Sequence, residues 1–255
     1  MSEFLNASSN APRLPLATTS EDHELRYLHL GTSWIQGAMH LAKPDAIALE
    51  YVQHMMIWML FKESPQHIVQ LGLGSGALTK FSHRHFPEAK VTAIELNPSV
   101  IDVCRREFFL PPNDDRLHVL EMDAMDFITD PANRNSIDIL QIDLYDEFAR
   151  GPVFDSPEFY EACAACLTEN GILTTNIFGD YDCYEKNMYG ILMAFDATVW
   201  LPRVDDENMI VIGFKQSPSV DFSVLNQRAA AIRQQTGWYT RSWINGLKEW
   251  MLNGA

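Results

Sequence analysis

Short apolar runs alternate with amphipathic stretches through the middle of the chain, from residue 67 to residue 195. The runs are apolar on both faces, as the strands of a buried parallel sheet must be. Strands that alternate with helices form βαβ units, which predicts a doubly wound α/β sheet. We predict strands at 67–71, 91–96, 117–122, 137–142 and 172–177, and helices at 77–85, 99–108, 157–167 and 184–195, with a short helix after 123.

The pattern changes after the last of these helices. Two extended runs, 198–204 and 209–214, are separated only by Asp205-Asp-Glu-Asn. So short a link cannot cross over between parallel strands, so the two runs must form an antiparallel hairpin. A parallel sheet that ends in such a hairpin is typical of the Rossmann-like fold of S-adenosylmethionine (AdoMet)-dependent transferases. We therefore predict an α/β fold with a seven-stranded, doubly wound sheet of this type.

The flanking segments complete the predicted organisation. We expect a disordered leader at 1–24, a β-hairpin and a helix at 25–62, a Rossmann-like nucleoside-binding catalytic domain at 63–216 and a helical tail at 217–255. In the second segment, Gly31 lies between two extended runs, and Pro44 opens a helix that runs to about Phe61, since proline suits a first helical position. The leader lacks the basic and apolar regions of a signal peptide. We therefore expect a cytoplasmic protein.

The composition limits the partners. The 255 residues include 19 Lys and Arg against 34 Asp and Glu, a formal net charge of −15. This balance argues against nucleic acids and anionic membranes, and it suits a small cationic substrate. The longest apolar run, 55–61, is too short to span a bilayer. Cys163 and Cys166 lie in an Ala-rich helical stretch, so we interpret them as buried apolar residues and expect no metal.

A glycine-rich turn follows the first predicted strand. Gly72, Gly74 and Gly76 open the next helix, where glycine lets the backbone approach a ligand. Glu95 and Asp123 end the next two strands, where carboxylates can accept from ribose hydroxyls and from the adenine amino group. Each acid alone could be a solvated strand end, but the three features at successive strand ends predict an adenosine site. The late hairpin favours an AdoMet-type ligand over NAD.

Two acids follow the fourth predicted strand. Asp143 and Asp146 lie where ligands of open α/β sheets bind, beyond the carboxyl ends of strands. They could hold an ammonium group and take a proton from it, because a free amine has a pKa of about 10 and must lose a proton before it attacks. A helix cap or a solvated loop is the alternative for each acid.

These motifs resemble those of the spermidine synthase (polyamine aminopropyltransferase) family over 28–215. The family moves an aminopropyl group from decarboxylated AdoMet to a diamine such as putrescine. By this resemblance Asp143 would be the base, and the acceptor would be bound by Gln36, Tyr51, Tyr145 and Asp146. The resemblance implies that the nucleoside is held by Gly72, Gly74, Ser75, Gly76, Glu95, Leu96, Asp123 and Ala124. Family members are often dimers or tetramers, which allows a homodimer without fixing the state.

The chain departs from the family pattern at several positions. Ser75 stands where the family usually has an Asp that contacts the donor amine, and Gln53 stands where it usually has Glu. Glu147 replaces a usual Pro, and Val204 replaces a common aromatic residue in the late hairpin. A neutral hydroxyl cannot offset an ammonium charge, so the choice between decarboxylated and intact AdoMet stays open. The alternatives are an AdoMet-dependent methyltransferase and a non-catalytic nucleoside-binding relative.

Overall fold

The computed structural model describes residues 14–203 and 208–253. The strands are β1 Ala17–Glu21, β2 Leu25–Leu30, β3 Gly37–His40, β4 His67–Leu71, β5 Lys90–Glu95, β6 Leu117–Glu121, β7 Ile137–Ile142, β8 Leu167–Ile177, β9 Ala197–Trp200 and β10 Met209–Phe214. The helices are α1 Glu50–His54, α2 Ala77–His85, α3 Pro98–Glu107, α4 Ala124–Thr129, α5 Pro157–Cys166, α6 Tyr181–Ala194, α7 Phe222–Thr236 and α8 Arg241–Asn253, with 3₁₀ turns at Ile57–Leu60 and Pro131–Asn133.

The central sheet has seven strands in the order β6-β5-β4-β7-β8-β10-β9. Strands β6, β5, β4, β7 and β8 are parallel, and β10 pairs antiparallel with both β8 and β9. Every residue of β7 is buried, as expected for a strand covered on both faces. The predicted fold class and terminal hairpin are therefore confirmed. Strand β9 ends at Trp200, and Val204 lies outside the described residues.

The N-terminal sheet has three strands instead of the two of the predicted hairpin. Residues 17–21 form β1, which pairs antiparallel with β2, so the expected disorder of this part of the leader is wrong. Contacts with α3 hold the strand in place: the Ala17 N–H donates to Ser99 Oγ at 3.0 Å, and Thr19 Oγ1 donates to Glu107 Oε2 at 2.7 Å. The first 13 residues of the predicted leader lie outside the described residues.

The helix predicted from Pro44 to Phe61 is also wrong over half of its length. Only α1 and the following 3₁₀ turn are helical. Two backbone carbonyls before α1 bond to side chains: Lys80 Nζ donates to the Pro44 carbonyl at 2.7 Å, and Gln53 Nε2 donates to the Ile47 carbonyl at 3.1 Å. The long-range contact from Lys80 and the local contact from Gln53 replace hydrogen bonds that a continuous helix would need.

Helices cover both faces of the sheet. On one face α7, α8 and the 3₁₀ turn at 57–60 share a core with β10, and Trp58 and Trp243 are almost completely buried there. On the other face α4, α5 and α6 bury Phe159 and Tyr160. Both layers leave the carboxyl ends of the parallel strands open to ligands. None of the helices in the described part of the chain has the length and apolar character needed to cross a membrane.

Candidate functional site

The glycine turn between β4 and α2 lies against the end of β7. Gly72 has a φ of +85°, and a Cβ there would lie 2.2 Å from the Asp143 carbonyl oxygen. Gly74 also has a positive φ, and its carbonyl accepts from Cys104 Sγ at 3.0 Å. Glycine is therefore required at position 72, because any side chain would push the β4 and β7 ends apart.

A cavity of about 140 Å³ lies beside this turn, and we call it the nucleoside pocket. Six of the residues predicted to hold the nucleoside line it: Gly72, Gly74, Glu95, Leu96, Asp123 and Ala124. Glu95 accepts from the Leu73 N–H at 2.9 Å and from the Asn97 N–H at 2.8 Å. Burial raises the pKa of Glu95, and these backbone N–H groups partly oppose the rise. The carboxylate is thus fixed in position at the pocket wall.

Asp123 both caps a helix and lines the nucleoside pocket. It is the N-cap of α4, where Oδ1 accepts from the Met125 N–H at 2.7 Å, and it also lines the nucleoside pocket. Capping uses a single oxygen and fixes the side chain. The arrangement therefore combines a structural role with a location suited to ligand binding.

Ser75 and Gly76 are not among the residues that line the nucleoside pocket. Ser75 Oγ donates to the Ala38 carbonyl of β3 at 3.1 Å, and the residue is only 4% exposed. A Cβ on Gly37 would lie 2.8 Å from Ser75 Oγ, so β3 packs tightly on this side chain. Gly76 has a φ of +72° at the start of α2, and a Cβ there would contact Leu110. Both residues therefore shape the turn.

Asp143, at the end of β7, lines the nucleoside pocket and a narrow gap between α1, β3 and the glycine turn. Asn176 Nδ2 donates to Asp143 Oδ1 at 3.2 Å. Burial raises the pKa of Asp143 to about 6, although this hydrogen bond favours the ionised form. A carboxylate with this pKa is mostly ionised at neutral pH and is a stronger base than an ordinary aspartate.

A second cavity, of about 420 Å³, shares Gln36 and Tyr51 with the narrow gap, and we call it the amine chamber after the acceptor that the sequence predicts. Its walls are aromatic and amide side chains from separate parts of the chain. They include Trp34, Gln36, Tyr51, Tyr145, Asn176, Phe178 and Asn208. The rings of Trp34 and Phe178 meet edge to face, with their centroids 6.4 Å apart. The predicted residues Gln36, Tyr51 and Tyr145 thus meet here, whereas sequence reasoning missed Trp34, Asn176, Phe178 and Asn208.

Gln36 joins the two cavities. It lines the nucleoside pocket, the narrow gap and the amine chamber. Its Nε2 donates to the Asp146 carbonyl at 3.0 Å, which ties the link between β2 and β3 to the loop after β7. Thr32 Oγ1 makes a parallel contact with the Glu147 carbonyl at 2.8 Å. The N-terminal sheet therefore forms one wall of the site.

The Asp146 carboxylate lies in a tight turn of this loop. Its Oδ1 accepts from the Phe148 N–H and the Arg150 N–H, each at 2.9 Å. Asp146 is not among the residues that line the nucleoside pocket or the amine chamber. Contact between this carboxylate and an acceptor amine stays a prediction.

The charged side chains among the described residues that line the cavities are all acidic. Glu95, Asp123 and Asp143 line the cavities, and the described lining residues include no Lys, Arg or His. Burial is the main cause that raises the pKa of Tyr51 and of Tyr145, and the nearby Asp143 adds to both rises, so both phenols stay neutral. The site therefore favours a cationic ligand over an anionic one.

The fold is a Rossmann-like α/β fold, and the nucleoside pocket lies at the carboxyl ends of its parallel strands. The family model described as "Spermine/spermidine synthase domain" matches residues 46–189. A polyamine aminopropyltransferase of Chromobacterium violaceum is 32% identical over 238 residues, which cover 92% of this chain and 90% of that protein. The chain therefore belongs to the spermine/spermidine synthase family.

Two solved structures show the same fold. A probable spermidine synthase from Corynebacterium glutamicum has a TM-score of 0.70 and 18% identity, covering 86% of this chain and 90% of that one. Human Methyltransferase-like protein 13, solved in complex with SAH, has a TM-score of 0.66 and 22% identity, covering 75% of this chain and 94% of that one. At these identities the likeness concerns the fold alone.

Proposed function

We propose that this chain transfers an aminopropyl group from decarboxylated AdoMet to a small diamine such as putrescine. The observation that carries the proposal is that Asp143 lines the nucleoside pocket and the narrow gap, while its hydrogen-bond partner Asn176 lines the amine chamber. A two-substrate transfer needs a base where the two substrates meet, because the attacking nitrogen must lose a proton close to the carbon of the bound donor. Membership of the spermine/spermidine synthase family supports the same reaction.

The proposed mechanism is a direct displacement. Asp143 takes a proton from the acceptor ammonium group, and the freed lone pair attacks the aminopropyl carbon bonded to the sulfonium sulfur. The new C–N bond forms as the C–S bond breaks. The electron pair of the C–S bond stays on sulfur in the released methylthioadenosine. The raised pKa of Asp143 suits this step, since it narrows the gap to the pKa of an amine. In-line positioning supplies much of the remaining acceleration.

The nucleoside pocket would hold the donor. In this proposal Glu95 accepts from the ribose hydroxyls and Asp123 from the adenine amino group, while Gly72 and Gly74 allow close approach of the backbone. Leu96 and Ala124 provide apolar surface for the nucleoside.

The lining charges favour the decarboxylated donor. Intact AdoMet carries a carboxylate, whereas the described lining residues offer three acids and no basic side chain. The decarboxylated donor carries an amine and a sulfonium, both cationic. We therefore propose that the negative field of the cleft, rather than a carboxylate at position 75, selects this donor.

The amine chamber would hold the acceptor. Aromatic faces attract ammonium groups, and the amide oxygens of Gln36 and Asn208 can accept hydrogen bonds. The alkyl segment of a diamine would lie against Trp34 and Phe178. Tyr51 and Tyr145 would line the path towards Asp143.

The test offers the purified protein either decarboxylated AdoMet or intact AdoMet, each with putrescine, and follows the products by mass spectrometry. We expect methylthioadenosine and spermidine in equal amounts from the decarboxylated donor. Methylated putrescine from intact AdoMet would instead identify a methyltransferase. Calorimetric binding of methylthioadenosine without any turnover would overturn the proposal and indicate a non-catalytic relative.

A further inference from the structure

The polar contacts of Asp143 lead to a residue on the neighbouring strand. Asn176, at the end of β8, is 1% exposed, and its Nδ2 donates to Asp143 Oδ1 at 3.2 Å. Its Oδ1 accepts from Asn208 Nδ2 at 3.1 Å, and its backbone carbonyl accepts from the Tyr145 hydroxyl at 2.9 Å. A buried amide with both ends paired has one defined orientation.

We infer that Asn176 is a positioning residue that, held by Asn208, orients the Asp143 carboxylate and keeps it ionised for proton transfer. This inference rests on the proposed role of Asp143 as the base. Asn176 occupies one carboxylate oxygen, so the other can face the acceptor amine. Without Asn208, the Asn176 amide could turn its oxygen towards Asp143, and two acceptors would then repel each other.

Few groups around Asp143 other than Asn176 can stabilise its negative charge. The titratable groups around Asp143 are Tyr51 from α1, Tyr145 from its own loop and Glu95 across the nucleoside pocket. The phenols are neutral, and Glu95 carries charge of the same sign. Among the described lining residues, no Lys, Arg or His offsets the negative charge of Asp143. Donation from Asn176 is therefore the main interaction that opposes the effect of burial.

The test replaces Asn176 with leucine, which is similar in size and cannot donate. Loss of the donor should raise the pKa of Asp143 by about one unit. Since the base must be ionised to act, the acidic limb of the kcat profile should move to higher pH by the same amount. Carbon-13 NMR of labelled aspartate reports the titration directly, with the Asp143 signal assigned by its loss in Asp143→Asn.

Two further variants make the result specific. Thr174→Val is the matched control, because this buried hydroxyl on the same strand has no hydrogen-bond partner among the described residues. It should leave both the titration and the profile unchanged. Asn208→Ala removes the residue that donates to the Asn176 side chain. It should shift the Asp143 titration and the kcat profile in the same direction as Asn176→Leu, by a smaller amount. It keeps the inference testable if Asn176→Leu does not fold.

The outcomes separate this inference from the proposed function. If the pKa of Asp143 and the acidic limb of the kcat profile both move to higher pH by the same amount, the result supports the role of Asn176 and the proposed function. An Asp143 titration that does not change in Asn176→Leu or in Asn208→Ala would overturn the positioning role. If the titration shifts but the kcat profile does not follow, Asn176 controls the Asp143 charge but Asp143 is not the base. That last result would overturn the proposed mechanism and, with it, the role of Asn176 in the reaction.

Discussion

The two cavities of the site are built in different ways. The acids of the nucleoside pocket lie at the ends of adjacent parallel strands, and β2 and the loop after β7 add apolar residues to its walls. Two of these acids, Glu95 and Asp123, accept hydrogen bonds from nearby backbone N–H groups. The amine chamber takes its walls from the N-terminal sheet, α1, the loop after β7 and the ends of β8 and β10. Its side chains are aromatic or amide-bearing, and three of them, Trp34, Asn176 and Asn208, come from three separate parts of the chain.

In the proposed reaction, this difference would separate recognition of the donor from recognition of the acceptor. A pocket formed at the strand ends of the sheet depends on the fold itself, because any doubly wound sheet brings those ends together. A chamber assembled from loops can change its walls without changing the fold. We therefore expect substitutions in the two cavities to act on different kinetic constants. Asp143 lines the nucleoside pocket and is bonded to Asn176 of the amine chamber, so we expect its substitution to affect the chemical step itself.

The largest expected effect is that of Asp143→Asn. Loss of the base should lower kcat by about a hundredfold or more, while methylthioadenosine still binds. Asp146→Asn, in the same loop, is the matched comparison, and we expect it to lower kcat by less than about tenfold, because its carboxylate accepts from two backbone N–H groups. Steady-state kinetics and calorimetry measure both variants. Equal losses of kcat would contradict the assignment of Asp143 as the base.

The next effect concerns the nucleoside pocket. Glu95→Gln should raise the Kd of methylthioadenosine about ten- to hundredfold, since a hydrogen bond to a charged group is lost and an amide N–H faces a backbone N–H. Glu121 lies opposite Glu95 in the β5–β6 register and is exposed, so Glu121→Gln is the matched control. Calorimetry gives both constants. The ribose role of Glu95 fails if the two variants bind equally well.

A smaller effect is expected in the amine chamber. Trp34→Ala should raise the KM for the diamine about three- to tenfold, because an aromatic wall beside the ammonium group is lost. Tyr239, which is also exposed but lies outside the chamber, provides the control variant Tyr239→Ala. The Kd of methylthioadenosine should not change in either variant. An unchanged KM in Trp34→Ala would remove Trp34 from the acceptor site.

The two cavities also differ in how far sequence alone predicts them. Gly72, Glu95, Asp123 and Asp143 follow strands whose apolar character marks them clearly, so their convergence at the edge of the sheet was predictable. Asn176 also ends a predicted strand, and that position was the available signal for it. Such a signal alone does not distinguish an asparagine that contacts a base from one that caps or ends a strand.

The wrong parts of the fold prediction have a common cause. The strands of the sheet are buried on both faces, so their pattern is strong, whereas β1 is short and mostly exposed. Its order depends on contacts with Ser99 and Glu107, which are distant in sequence. In the segment before α1, the Pro44 carbonyl is likewise bound by a distant side chain, Lys80 of α2. Local patterns cannot predict structure that depends on such distant contacts.

The smallest expected effect is at Ser75, the clearest departure from the family pattern within the glycine turn. Its hydroxyl donates to the Ala38 carbonyl and packs against Gly37, so its removal should leave donor selection with the lining acids. Ser75→Ala should change the ratio of Kd values for decarboxylated and intact AdoMet by less than about threefold, since the lost hydrogen bond points to β3. Calorimetry with both donors measures this ratio. A larger change would mean that the Ser75 hydroxyl turns towards the donor when the donor binds. Position 75 would then select the donor, although this chain has Ser there in place of the usual Asp of the family.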